Sequence, residues 1–183
     1  IFFGHTDMTP WGQAFLKRIV KDPDWKMVYL NEVAVILVKN IPANSAVISR
    51  WAITEDNATE RVVGEELVLS RFFYNISWRK ASFYFADQAI KNDPSSRQAH
   101  LLKGLTHAYY TDQESQKQAA GSFKKAIDLG LKESRYYTIL GIVYMNLGEL
   151  EEAKYNFKKA LERDGNNTQA KEFLDRFFSG SVL

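Results

Sequence analysis

The second half of the chain repeats one pattern of apolar and small residues at the spacing expected of helices. The pattern has a large residue, Leu-Gly, Tyr and a turn glycine, followed by Ala, an aromatic residue and Ala. It is complete at Tyr137, Leu140, Gly141, Tyr144, Gly148, Ala153, Phe157 and Ala160. Its closing part recurs at Ala119, Phe123 and Ala126, and Ala126 lies 34 residues before Ala160. This fixed period predicts stacked helix pairs, because one pair cannot bury its apolar face alone.

The period becomes less regular towards the N-terminus. The repeat that ends near Ala126 has Gly104 at the small position and is about three residues longer, and the polar segment 111–117 can accommodate the extra residues at low cost. An earlier, degenerate repeat has Ser70 and Ser82 where Gly and Ala are expected. Its remaining signature positions are Leu69, Phe73, Ala89 and the Asp93-Pro94 stop. After the last repeat, residues 168–178 predict a helix that caps the stack.

The N-terminal part of the chain has a different pattern of apolar and polar residues. Residues 9–20 show helical apolar spacing, with Thr9 as the N-cap and Pro10 at the first helical position. Residues 25–30 and 33–40 are rich in β-branched and aromatic side chains and predict two adjoining strands. The N-terminal part therefore combines a helix with a small sheet.

These patterns divide the chain in two. A connecting helix is predicted from Pro42 onward, and the polar segment 54–59 marks the boundary. We predict a small α+β subdomain with its connecting helix over residues 1–54, and a helical array with its cap over residues 55–183.

The period and signature residues resemble the tetratricopeptide-repeat (TPR) family, with about three repeats. The resemblance implies a mainly α fold: a right-handed superhelix of antiparallel helix pairs, here preceded by the small α+β subdomain. It also implies a scaffold that binds a protein or peptide, so no catalytic residues are expected in this chain.

TPR geometry places the inward-facing side chains of the first helices in a groove. These positions are Leu101, Leu105, Tyr109, Thr138, Ile142, Met145 and Asn146. Arg71 and Asn146 match only in part the set with which some TPR domains hold a terminal carboxylate, so such a clamp is not expected. The mostly apolar character favours an apolar or helical segment of a partner protein. Two alternatives stay open, namely that the N-terminal subdomain or a second copy of the chain fills the groove.

Composition narrows the remaining classes of function. The formal net charge is +2, and the basic residues are spread along the chain, so no nucleic acid is expected as partner. Cysteine is absent, which excludes disulfides and Cys-ligated zinc. His100 and His107 lie seven residues apart, and His5 with Asp7 lacks a further ligand, so no metal or other cofactor is expected. The longest strongly apolar run, 33–38, is far below the about 20 residues of a membrane helix, so this piece is not expected to be membrane-inserted.

A second resemblance concerns the predicted strands. A Trp, a Val-Tyr pair, an acidic turn and an Ala-Val strand with a basic end are similar to a segment in the soluble C-terminal region of polytopic membrane glycosyltransferase-like proteins. The matching residues are Trp25, Val28, Tyr29, Glu32, Ala34, Val35 and Lys39, whereas Asn31 replaces a common Asp. The resemblance implies a module on the extracytoplasmic face of a membrane, tethered by an upstream membrane domain. The alternative is a free-standing cytoplasmic TPR adaptor.

Overall fold

The computed structural model describes residues 1–6 and 9–178, and the chain forms two compact units, residues 1–94 and 95–183. This division falls later than the boundary predicted after residue 54. The degenerate repeat therefore belongs to the first unit.

The first unit combines a three-stranded antiparallel sheet with short helices. Its strands are β1 (Phe2–Gly4), β2 (Trp25–Leu30) and β3 (Ala34–Lys39), in the order β1-β3-β2. Its helices are α1 (Pro10–Ile19), α2 (Ser45–Trp51) after a 3₁₀ turn at Pro42–Asn44, α3 (Ala58–Arg61), α4 (Glu66–Asn75) and α5 (Arg79–Asn92). The two predicted strands and the first helix are confirmed. The strand β1 was not predicted, because three residues are too few to show a period.

Local capping and pairing explain where these elements lie. The Thr9 hydroxyl accepts a hydrogen bond from the Gly12 backbone N–H at 3.1 Å, and Pro10 occupies the first helical position, as predicted. A bulge between Met27 and Tyr29 shifts the pairing of β2 with β3.

One core serves the sheet and the helix pair α4–α5. Buried side chains of α1 and the strands, such as Leu16 and Leu37, belong to the same cluster as Leu69 and Phe73 of α4. Because the sheet buries its face against this helix pair, the pair is part of the first compact unit.

The second unit consists of the helices α6 (Arg97–His107), α7 (Gln113–Asp128), α8 (Ser134–Leu147), α9 (Leu150–Arg163) and α10 (Thr168–Phe177). Gly148 ends α8 with a φ of 77°, a left-handed conformation that glycine adopts without strain, which confirms the predicted turn glycine. In the described part of the chain, every helix is too short or too polar to cross a bilayer.

In each helix pair of the second unit, a glycine on the first helix lies against a phenylalanine ring on the second. A Cβ built on Gly104 would lie 3.2 Å from the ring of Phe123, and one built on Gly141 would lie 2.6 Å from the ring of Phe157. Both rings are fully buried. The fold is therefore mainly helical with a TPR repeat and a small N-terminal α+β part, as the sequence predicted.

Candidate partner-binding groove

The helices α6 and α8 each carry a row of apolar side chains at the helical i, i+3 and i+4 spacing, which places each row on one face. Leu101 and Leu105 on α6, and Ile142 and Met145 on α8, are partly buried and pack against the core of the second unit. Tyr109 follows α6 and is 63% exposed. We call these five residues the groove set. They combine apolar character with retained accessibility, which a contact surface requires.

Thr138 corrects the prediction for one position, because its side chain is only 1% exposed. Its hydroxyl donates to the Ser134 carbonyl at 3.5 Å and accepts from the Asn167 side-chain amide at 2.9 Å. The Asn167 side-chain oxygen also caps α10 by accepting from the Ala170 N–H at 3.0 Å. The hydroxyl thus joins α8 to the start of α10 and is not presented to a partner.

Asn146 is exposed, but its side-chain amide is engaged within the fold. It donates at 3.1 Å to the side-chain oxygen of Gln116, which is 1% exposed, and the Gln116 amide nitrogen donates to the Tyr110 carbonyl. Gln116 therefore fixes the end of α8 against the α6–α7 connection. Sequence interpretation missed it because the segment 111–117 was assigned to an extended turn. Its spacing to Ala119, Ala120 and Phe123 is helical and was the available signal.

Arg71 is an exposed residue of α4 and belongs to the first unit, whereas the groove set belongs to the second. Thr138 and Asn146 both make hydrogen bonds inside the second unit. On α6 and α8, Leu101, Leu105, Ile142 and Met145 supply the partly buried apolar surface of the groove set.

A cleft of about 440 Å³ lies between α7, α8 and α9, on a face of α8 other than the one with the groove set. Tyr137, Tyr144 and Tyr155 contribute to its walls beside charged side chains of both signs. Burial, and then the nearby carboxylates Glu149 and Glu152, raise the pKa of Tyr144, so its phenol stays protonated. The charged side chains of this cleft are the basic Lys124, Lys159 and Arg163 and the acidic Asp128 and Glu152.

His5 is buried in the first unit, and His107 is partly buried in the second. The ring nitrogen Nε2 of His5 lies 2.6 Å from the Asn31 carbonyl, and the ring contacts Phe72 at a centroid distance of 4.7 Å. Burial lowers the pKa of His5, and burial followed by the charge of Lys103 lowers the pKa of His107. Within residues 1–6 and 9–178, no three His, Cys, Asp or Glu side chains are grouped to hold a metal ion. The Asp7 considered beside His5 lies outside the described residues.

Comparison with known proteins agrees with this geometry. The tetratricopeptide repeat family matches residues 134–167, which cover α8, α9 and the turn that leads to α10. Heat shock protein STI1 of Saccharomyces cerevisiae is 36% identical over 77 residues, which are 42% of this chain and 13% of that protein. Anaphase-promoting complex subunit 3 of Schizosaccharomyces pombe is 32% identical over 82 residues, 45% of this chain and 12% of that protein.

The chain thus spans only about an eighth of the length of these relatives. The resemblance of the strand segment to glycosyltransferase-like membrane proteins stays a prediction. The helix pair α8–α9, with its glycine, tyrosine and alanine positions filled as the family requires, makes residues 134–167 a tetratricopeptide repeat.

Proposed function

We propose that this chain is a protein-interaction module whose second unit holds an apolar, helical segment of a partner polypeptide against α6 and α8. The observation that carries the proposal is the groove set. Its apolar side chains lie at α6 and α8, the first helices of two successive helix pairs, whereas the neighbouring Thr138 and Asn146 side chains are hydrogen-bonded inside the unit. The match to a tetratricopeptide repeat supports it, as does a relative that is named as a subunit of a complex. No catalytic reaction is part of the proposal.

A helical partner fits the chemistry of these side chains. An amphipathic helix presents its own apolar residues in a row, and such a row can pack lengthwise against the rows on α6 and α8. Burial contributes roughly 25 cal/mol per Å² of apolar surface, although the ordering of the partner offsets much of this gain. Because the contact contains few charges, its affinity should depend little on salt.

The test is selection of binding peptides from a displayed random library, with the purified chain as bait. We expect selected peptides to be amphipathic helices and to bind the wild-type chain equally well at low and moderate salt. The double substitution Leu105→Asp and Ile142→Asp should abolish binding. Both side chains also pack against the core, so far-UV circular dichroism must show that the helices persist. Tyr109→Ser tests the same groove set with a smaller effect on folding, because Tyr109 is mostly exposed.

The matched control is Tyr155→Asp on α9, an aromatic residue that is 59% exposed and outside the groove set. It should leave peptide binding unchanged. Binding that survives the double substitution, or that collapses with moderate salt, would place the contact on another surface and refute the proposal.

The placement of the module is a further part of the proposal. The strand segment from Trp25 to Lys39 supports attachment to a membrane protein on its extracytoplasmic face, whereas a free-standing cytoplasmic adaptor is the alternative. The reading frame upstream of Ile1 distinguishes the two. A series of apolar helices there supports the first placement, and an adjacent start codon supports the second.

A further inference from the structure

The last helix, α10, presents an aromatic surface that the groove set does not include. Phe173 stacks on Phe157 of the core with ring centroids 4.9 Å apart, and Phe177 continues the row at 6.0 Å from Phe173. Phe177 is nevertheless 48% exposed. A shallow depression of about 540 Å³ lies along this surface and is lined by residues of α10. A large apolar side chain with this exposure suggests a contact surface.

The face of α10 on which another helix of the repeat type would pack is a different one, and it contains Asp175. The helix α10 begins 34 residues after α8, so Asp175 stands at the position of Gly141. At Gly141 the following helix approaches so closely that a Cβ would lie 2.6 Å from the Phe157 ring. A helix packed in that way against α10 would meet the Asp175 side chain and bury its carboxylate, which is costly without a paired charge.

The charges beside the aromatic row include one pair of opposite sign, in addition to Asp175. Glu172 and Arg176 are exposed, lie one helical turn apart on the same side of Phe173 and Phe177, and carry opposite charges. The Arg176 guanidinium lies 5.3 Å from the centroid of the Phe177 ring, so it belongs to the same surface. When two such helices lie antiparallel, Glu172 of one copy faces Arg176 of the other, and a two-fold axis makes this pair twice.

We propose that this surface binds a second copy of the chain through an antiparallel pair of α10 helices. The Phe173 and Phe177 side chains form the centre of the contact, and the two Glu172–Arg176 pairs set its direction. A helix of 10 residues buries less area than a standard interface of about 1,600 Å², so the association is weak, with a dissociation constant of about 10 μM or higher.

The test is sedimentation velocity of the whole chain over protein concentrations from about 1 μM to about 1 mM. The wild-type chain should shift from monomer to dimer across this range. Phe177→Ser should leave it monomeric, whereas Tyr155→Ser, which removes an exposed aromatic residue of α9, should not. A chain that stays monomeric throughout, or a Phe177→Ser variant that still dimerises, overturns the proposal.

Charge reversal tests the geometry separately from folding. Glu172→Arg and Arg176→Glu should each weaken self-association about tenfold, because each creates two like-charge contacts. A mixture of the two variants should dimerise like the wild-type chain, since every contact between them joins opposite charges. The double reversal in one chain should also restore dimerisation. If neither recovers, the antiparallel arrangement is wrong.

The groove variant Leu105→Asp with Ile142→Asp should dimerise normally, and the α10 variants should bind the selected peptides normally. Loss of dimers in the groove variant would instead place self-association at α6 and α8 and overturn the α10 proposal. Loss of peptide binding alone counts only against the proposed function.

Discussion

Two helix pairs of this protein solve the same packing problem with different residues. In α8–α9, Gly141 on the first helix allows the buried ring of Phe157 on the second helix to come close. In α4–α5, the equivalent positions carry Ser70 and Ala86, both fully buried. A larger side chain on one helix is thus matched by a smaller one on the other.

The serines of α4–α5 form a polar link between the two helices, and α8–α9 has a link of the same kind, in which the Ser134 hydroxyl donates to the Ala160 carbonyl at 2.7 Å. The Ser70 hydroxyl donates to the Ser82 carbonyl at 2.9 Å, and both residues are fully buried. The aromatic contribution comes instead from the neighbouring Phe85, whose ring stacks on Phe73 with centroids 5.5 Å apart. The comparison shows that different combinations of residues can fill the space between the two helices of a pair, because interiors tolerate the exchange of residues when the space stays well packed.

The largest expected effect comes from filling the close contact in α8–α9. Gly141→Leu should lower the free energy of unfolding by about 3 kcal/mol or more, because the buried Phe157 ring cannot move aside. Urea denaturation followed by circular dichroism measures it. Gly121→Ala in α7 is the control: apart from the adjoining backbone of α7 itself, nothing lies within 4 Å of the added Cβ, so the helix should gain roughly 0.5–1 kcal/mol. An unchanged urea midpoint for Gly141→Leu would show that Gly141 does not lie at a close contact between α8 and α9.

The next prediction transfers the α4–α5 solution into α8–α9. Phe157→Ala alone should cost about 3–5 kcal/mol through the cavity that it leaves. Gly141→Ser alone should cost about 1–3 kcal/mol through overpacking. The double variant should be more stable than the sum of the two losses implies, by about 1 kcal/mol or more. A double-mutant cycle in urea measures this coupling, and strict additivity would show that the two positions do not share one volume.

A smaller effect is expected from the serine link in α4–α5. Ser70→Ala removes the buried hydrogen bond to the Ser82 carbonyl and should cost about 1 kcal/mol. All four tryptophans of the chain, Trp11, Trp25, Trp51 and Trp78, lie in the first unit, so tryptophan fluorescence reports the unfolding of that unit. An unshifted fluorescence transition would show that the link contributes nothing to stability.

The smallest expected effect is a pH dependence carried by one histidine in each unit. Burial lowers the pKa of His5 and of His107, so the unfolded chain takes up protons more readily than the folded chain. The stability that each neutral ring contributes is complete above the unfolded pKa of about 6.5 and decreases as the pH falls below it. Urea midpoints between about pH 7 and about pH 5.5 should show this decrease.

Single substitutions assign this pH dependence to its unit. His5→Gln should flatten it in the fluorescence transition, whereas His107→Gln should leave the fluorescence transition as it is. If His5→Gln changes nothing, another group of the first unit titrates in this window.

The sequence predicted the regular elements well and the short ones poorly. The strands β2 and β3, the helix α1 with its Thr9 cap and the turn glycine Gly148 each follow from a local pattern. By contrast, β1 and the four-residue helix α3 exist because the sheet and the core hold them, and a segment of three or four residues has no period to detect.

The candidate groove shows the same limit. Its apolar members follow from helical spacing, since a side chain's face depends only on its place along the helix. The state of its polar members depends on partners far away in sequence: Thr138 bonds to Asn167, and Asn146 to Gln116. Their positions were predicted as accessible, but only the packed helices show that both are engaged.

By itself, the sequence determined the period of 34 residues, the glycines at the close helix contacts and the apolar faces of α6 and α8. These features follow from helix geometry, which sets the spacing of residues on one face, and from excluded volume, which requires a small residue where two helices come close. The tertiary structure decided that α4–α5 shares its core with the sheet and that Gln116 and Asn167 engage the polar groups of α8. These contacts could not be predicted from periodicity. A buried apolar face packs against whichever side chains the folded chain brings next to it, and a hydrogen-bond donor pairs with whichever acceptor comes within reach.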